Sequence, residues 1–168
     1  MLTKTSPYFF NTELVFCSEW SHIAGAIKTA IKMVNTPFIF VHQHDFSLEK
    51  DIDVVSLLKT MEQNENIKYV RLNQWRNRPH KKTGFHYSFD GDVDEKILGP
   101  SSIKLCRSFG WTDNDHFART DYYRDFVLPC CQFGAMEWYM DKMFKQAAEK
   151  NRDKAHKEFG TYILTDLS

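Results

Sequence analysis

Thr36-Pro37-Phe38-Ile39-Phe40-Val41-His42-Gln43-His44-Asp45-Phe46-Ser47-Leu48 is the stretch whose reading decides the fold. Four β-forming residues, Phe38 to Val41, break abruptly into His42, Gln43, His44 and Asp45. A continuous apolar run of this kind reads as a buried strand, and its C-terminal end delivers polar groups to a cleft. Imidazole and carboxylate at such a point can hold a divalent cation or polarise a phosphate. The plain alternative is a strand end whose polar residues meet water.

Working outward, Ile23, Ala26, Ile27, Ala30, Ile31 and Val34 recur at helical spacing and predict a helix over Ser21 to Val34, closed by Thr36-Pro37. Glu13 to Cys17, ahead of it, reads as a short strand. On the other side, Asp51 and Asp53 favour the first turn of a second helix, with Ile52, Val55, Leu58 and Met61 on one face. Asn64-Glu65-Asn66 is a turn, and Ile67 to Leu72 reads as another buried strand. This alternation predicts one α/β domain over residues 1–168, with a mainly parallel central sheet flanked by helices and Phe38 to Val41 inside it. Beyond it, Asn73 to Lys96 reads mostly as loop. Ile103 to Cys106 reads as a strand and His116 to Phe126 as a helix stopped by Pro129. Ala135 to Lys150 is a helix with Met136, Met140, Met143 and Ala147 on one stripe, and Phe159 to Leu164 is a closing strand.

Composition bounds the function. The chain has 168 residues, enough for one sizeable core, and 22 basic against 22 acidic residues. A net charge of zero leaves no global field to steer the protein toward nucleic acid or an anionic membrane, so any electrostatic site is local. Cys17, Cys106, Cys130 and Cys131 match no zinc spacing. No run reaches ~18 apolar residues and no apolar leader follows Met1, so a cytoplasmic protein without a transmembrane segment is expected. Aromatic residues make up 15% of the chain, a surplus that supplies flat surfaces for stacking sugars or bases.

With these elements in order, the chain resembles glycosyltransferases of the GT-A type, close to the broad family 2 group. Glu19-Trp20-Ser21-His22-Ile23-Ala24-Gly25-Ala26-Ile27 resembles the donor-side loop and helix. Phe40 to Phe46 resembles the position of the Asp-x-Asp metal motif, with His42-Gln43-His44-Asp45 in place of two spaced aspartates. Ile67 to Leu72 resembles the next strand of that Rossmann-like fold, and Trp111 to Thr120 the acceptor-side segment. Gly134-Ala135-Met136-Glu137 resembles the helix start that carries the catalytic carboxylate, and His156 to Ile163 the closing segment, whose histidine lies near the metal. The likeness runs from about residue 13 to 164. Only twelve residues precede Glu13, so it implies a nucleotide site that is trimmed, completed by a partner chain or a homo-oligomer, or lost.

The resemblance implies a metal-dependent transfer of a sugar from a nucleotide-sugar donor to the hydroxyl of a glycan or other acceptor, with Mn²⁺ or Mg²⁺ as cofactor. Glu137 is the expected base, with Asp113 or Asp115 as alternatives. Such a base removes the acceptor proton as the oxygen attacks the anomeric carbon. Asp45, His44 and His156 are the expected metal ligands, with His42 a weaker one. An oxygen ligand suits an ion that neutralises a departing pyrophosphate. Trp20, His22 and Gly25 stand at a helix N-terminus, where free N–H groups favour a donor phosphate; a cap by Ser18 or Ser21 is the structural alternative. Trp75, Trp111 and His116 are expected at the acceptor, against a simple core role for Trp111. Arg71, Arg76 and Arg78 add cations beside Trp75.

Two other classes compete. A non-catalytic carbohydrate- or nucleotide-binding remnant of the same fold needs no base. A zinc hydrolase also opens on His-x-His at a strand end, but the metallo-β-lactamase type requires His-x-His-x-Asp-His, and here Asp45 comes one place early.

Overall fold

The computed structural model describes residues 12–48, 50–72, 96–97, 103–132 and 134–165. The predicted loop lies outside them over residues 73–95, with Trp75, Arg76 and Arg78. The strands are β1 (Phe38–Val41), β2 (Tyr69–Arg71), β3 (Lys96–Ile97), β4 (Lys104–Arg107), β5 (His116–Arg119) and β6 (Thr161–Thr165). The helices are α1 (His22–Ala30), α2 (Val54–Gln63), α3 (Thr120–Tyr122), α4 (Leu128–Cys130), α5 (Met136–Lys150) and α6 (Arg152–Phe159). A 3₁₀ turn, Ile31–Met33, extends α1, and a π-helical turn, Tyr123–Val127, joins α3 to α4.

The strands form one mixed sheet in the order β1-β5-β2-β6-β4-β3. Only β2 and β6 pair in parallel; the other four pairings are antiparallel. The α/β class is as expected, but the mainly parallel sheet is not. The cause is β5, a segment read as helix, which inserts antiparallel between β1 and β2. Its residues His116, Phe117 and Ala118 are all buried, so no alternation marks it as a strand. The insertion also leaves β1 at the end of the described sheet, not inside it, with Phe40 exposed. Glu13 to Cys17 forms no strand, and its residues are exposed.

The two faces of the sheet carry separate cores, as the period of two requires: Ala118 and Tyr69 face one side, Phe117 and Val70 the other. Under the first lie Ala24 and Ile31 from α1, Met136, Met140 and Phe144 from α5, and Ala155 and Phe159 from α6. The buried stripe of α5 therefore ends on Phe144, while Met143 is exposed. Under the second lie Leu57 and Met61 of α2. Asp53, expected in the first turn of α2, instead caps it by accepting the Ser56 N–H at 3.0 Å.

Gly160 ends α6 in the left-handed region at φ 59°, and its carbonyl accepts the N–H groups of Lys68 and Tyr69. A Cβ here would lie 2.5 Å from the Asn66 carbonyl oxygen. Gly160→Ala is therefore expected to destabilise the fold by roughly 1–3 kcal/mol through backbone strain alone. Urea unfolding measures this, and an unchanged midpoint would contradict it.

Candidate functional site

The antiparallel pairing of β1 with β5 sets Val41 opposite His116. The residues leaving β1 therefore meet the residues entering β5, and the loop from Trp111 to Asp115 becomes the floor of the site. Asp115, 3% exposed, accepts from His42 Nδ1 at 2.6 Å and from the Gln43 backbone N–H at 2.9 Å. Gln43 Nε2 in turn donates to the Asp113 carbonyl. A buried carboxylate held by two donors is well paired, and it fixes the direction in which the chain leaves β1. The Asp115 carbonyl accepts the Leu72 N–H at 2.8 Å, tying the same loop to the end of β2.

The N-terminal turns of α5 grip the loop from the other side. Glu137 Oε2 accepts the Thr112 hydroxyl at 3.0 Å, and Asp141 Oδ1 accepts the Trp111 backbone N–H at 3.2 Å. One helical turn separates these two carboxylates, so both reach the same stretch. Asp113 shares a side-chain hydrogen bond with Glu137. Burial first, and the Glu137 charge second, raise the Asp113 carboxyl above the ordinary carboxylate range. A neighbouring negative charge disfavours ionisation, and Asp113 is the carboxyl that feels it here.

Glu137 and Asp113, the two residues expected to be catalytic, thus stand together. His44 and Asp45 form an exposed turn just beyond Gln43, and neither side chain has a partner among the described residues. A carboxylate oxygen and an imidazole suit two positions on Mn²⁺ or Mg²⁺, with phosphate and water left to fill the others. Trp20 and His22 meet edge to face at 5.3 Å at the start of α1, and Trp20 is exposed. Ser21 makes no side-chain cap there, and its backbone carbonyl accepts the Gly25 N–H at 3.0 Å.

Three expected site residues are placed elsewhere. Trp111 is buried in the core between Tyr69 and Tyr123, so it anchors the loop and presents no face to an acceptor. His116 is fully buried: its Nδ1 donates to the Asn114 carbonyl and its Nε2 accepts from Tyr123. Burial pushes its pKa down to about 4, so it is a neutral core histidine. His156 is buried too, with Nε2 donating to the Thr161 carbonyl at 2.8 Å and burial lowering its pKa to about 4. Thr161 is level with Tyr69, Ala118 and Ile39 across the sheet. Three strand spacings of ~4.8 Å put it roughly 14 Å from β1, so His156 belongs to a different place from His44 and Asp45. Arg71 is likewise buried, inside β2. Trp75 lies outside the described residues. Among the described residues, no group of three or more His, Cys, Asp or Glu is arranged to hold a metal ion, and no helix is long and apolar enough to cross a membrane.

Sequence reasoning overlooked Thr112 and Gln43, which orient Glu137 and the loop. It also overlooked Trp138, 73% exposed beside Glu137. A large aromatic outside the Met136, Met140 and Phe144 stripe was the available signal. No family model, curated protein or solved structure matches the chain.

Proposed function

We propose that the chain is a metal-dependent glycosyltransferase that moves a sugar from a nucleotide-sugar donor to an acceptor hydroxyl, with inversion. The observation that carries the reading is the Asp113–Glu137 carboxyl pair, positioned by Thr112 and joined through Gln43 to the turn at His44 and Asp45. Glu137 is the base. Its carboxylate, held by the Thr112 hydroxyl at the start of α5, would take the proton from an acceptor hydroxyl. Asp45 and His44 would hold Mn²⁺ or Mg²⁺, which neutralises pyrophosphate charge when bound. The start of α1, with Trp20, His22 and Gly25, would be the donor side, with the Gly25 N–H already taken by the Ser21 carbonyl.

Calorimetry with UDP, GDP and their sugars, with and without Mn²⁺, tests the donor side. Metal and pyrophosphate neutralise each other in one cleft, so each is expected to tighten the other by the same factor, typically about 5- to 150-fold. Asp45→Ala is expected to abolish that coupling. Asp45→Ala binding both as tightly as the unaltered chain would remove the metal role.

A further inference from the structure

Trp75 lies outside the described residues, and Trp111 and His116 are buried, so neither of these two presents a surface to an acceptor. The described residues offer a surface on α5 instead. A shallow depression of about 380 Å³ runs along this helix, lined by Glu137, Trp138, Asp141, Lys142, Lys145 and Gln146. These six fall in two adjacent rows at i, i+4 spacing: Glu137, Asp141 and Lys145 in one, Trp138, Lys142 and Gln146 in the other. Eight residues separate the ends of each row, roughly 12 Å at 1.5 Å per residue. That is the length of a short oligosaccharide.

Trp138 stands at one end with 73% of its surface in water, whereas Trp111 is in the core. A second observation fixes the chemistry. The lining carries two carboxylates and two ammonium groups, with Lys145 paired to Asp141 at 2.6 Å, so its charge is balanced. Such a surface offers hydrogen-bond donors and acceptors without attracting an ion of either sign. A neutral pyranose has hydroxyls of both kinds around its rim and an apolar C–H face that covers an indole.

We infer that Trp138 is the stacking platform of a saccharide subsite on α5, which takes neutral pyranosides and holds the acceptor beside Glu137. The inference rests on the glycosyltransferase reading for the word acceptor, but not for the saccharide site itself. Glu137 is both the base proposed above and part of the lining, so a sugar stacked on Trp138 has a hydroxyl next to the group that would deprotonate it.

The test uses methyl β-glucopyranoside, cellobiose, lactose and methyl β-glucuronide as probes, with saturation-transfer NMR and tryptophan fluorescence as readouts. At least one neutral probe is expected to bind more tightly than the glucuronide. Trp138→Ala is expected to weaken that binding about tenfold or more, and Trp138→Phe to restore most of it. The side chain is exposed, so both variants are expected to keep the melting temperature of the unaltered chain. Absence of saccharide binding, or binding unchanged in Trp138→Ala, would overturn the inference. Binding that depends on Trp138 in a chain that turns over no nucleotide sugar upholds the site and removes the transfer reading. Turnover whose acceptor KM is unmoved by Trp138→Ala upholds transfer and removes the site.

Discussion

Glu137→Gln is expected to lower kcat by about 10²- to 10⁴-fold while leaving donor and acceptor binding nearly unchanged, because it removes a general base and little else. The amide keeps an oxygen that can accept from Thr112, which holds Glu137 Oε2 at 3.0 Å, so the loop and the N-terminal turn of α5 keep their contact. Steady-state kinetics on the variant read the effect directly. Full activity in Glu137→Gln would exclude the base role. A loss of turnover in Asp113→Asn, with Glu137→Gln active, would move that role to Asp113.

The second large effect is acid sensitivity. His116 and His156 are buried and neutral, with pKa values lowered to about 4 from 6.5, chiefly by burial. The unfolded chain therefore binds these two protons first. Their contribution to stability is complete above pH 6.5 and is lost as the pH falls toward 4. Between pH 7 and pH 5 each should cost about 2 kcal/mol, or about 4 kcal/mol together, a large share of an ordinary domain's stability. The surrounding charges modify this and do not reverse it: Asp115 favours the proton on His116, while Arg107 opposes and Asp153 favours it on His156. Asp113 acts in the other direction, since a raised carboxyl pKa favours the fold at low pH and that support fades as the pH rises through its folded value. Urea unfolding of Asp113→Asn at the two pH values isolates the histidines. Equal stability at pH 7 and pH 5 would contradict the account.

Helices α1, α2 and α5 were legible because their apolar positions obey the helical period, whereas α6 was not read. The Met136–Met140 stripe of α5 needed no tertiary information. The strand β5 was hidden because residues 116–119 are buried at three of four positions and run straight into the helical turns from Thr120, so helix and strand patterns overlap. Its place between β1 and β2 is a non-local pairing, which local alternation does not encode. Glu137 and Asp113 were proposed from the family resemblance and their place in the chain, and their proximity came only with the fold. His116, His156 and Trp111 were misplaced for one reason: a polar side chain with internal partners is as stable in the core as one facing a ligand. The letters alone do not distinguish the two.

Turnover itself is the most direct test of the central claim. The chain is incubated with Mn²⁺, a panel of UDP- and GDP-sugars, and glucose and galactose disaccharides, and NMR follows nucleoside diphosphate release and the configuration of the new glycosidic bond. Release that depends on the acceptor, and a product of inverted configuration, are expected. A chain that turns over no donor in the panel, or one whose product retains the donor's configuration, would contradict the claim.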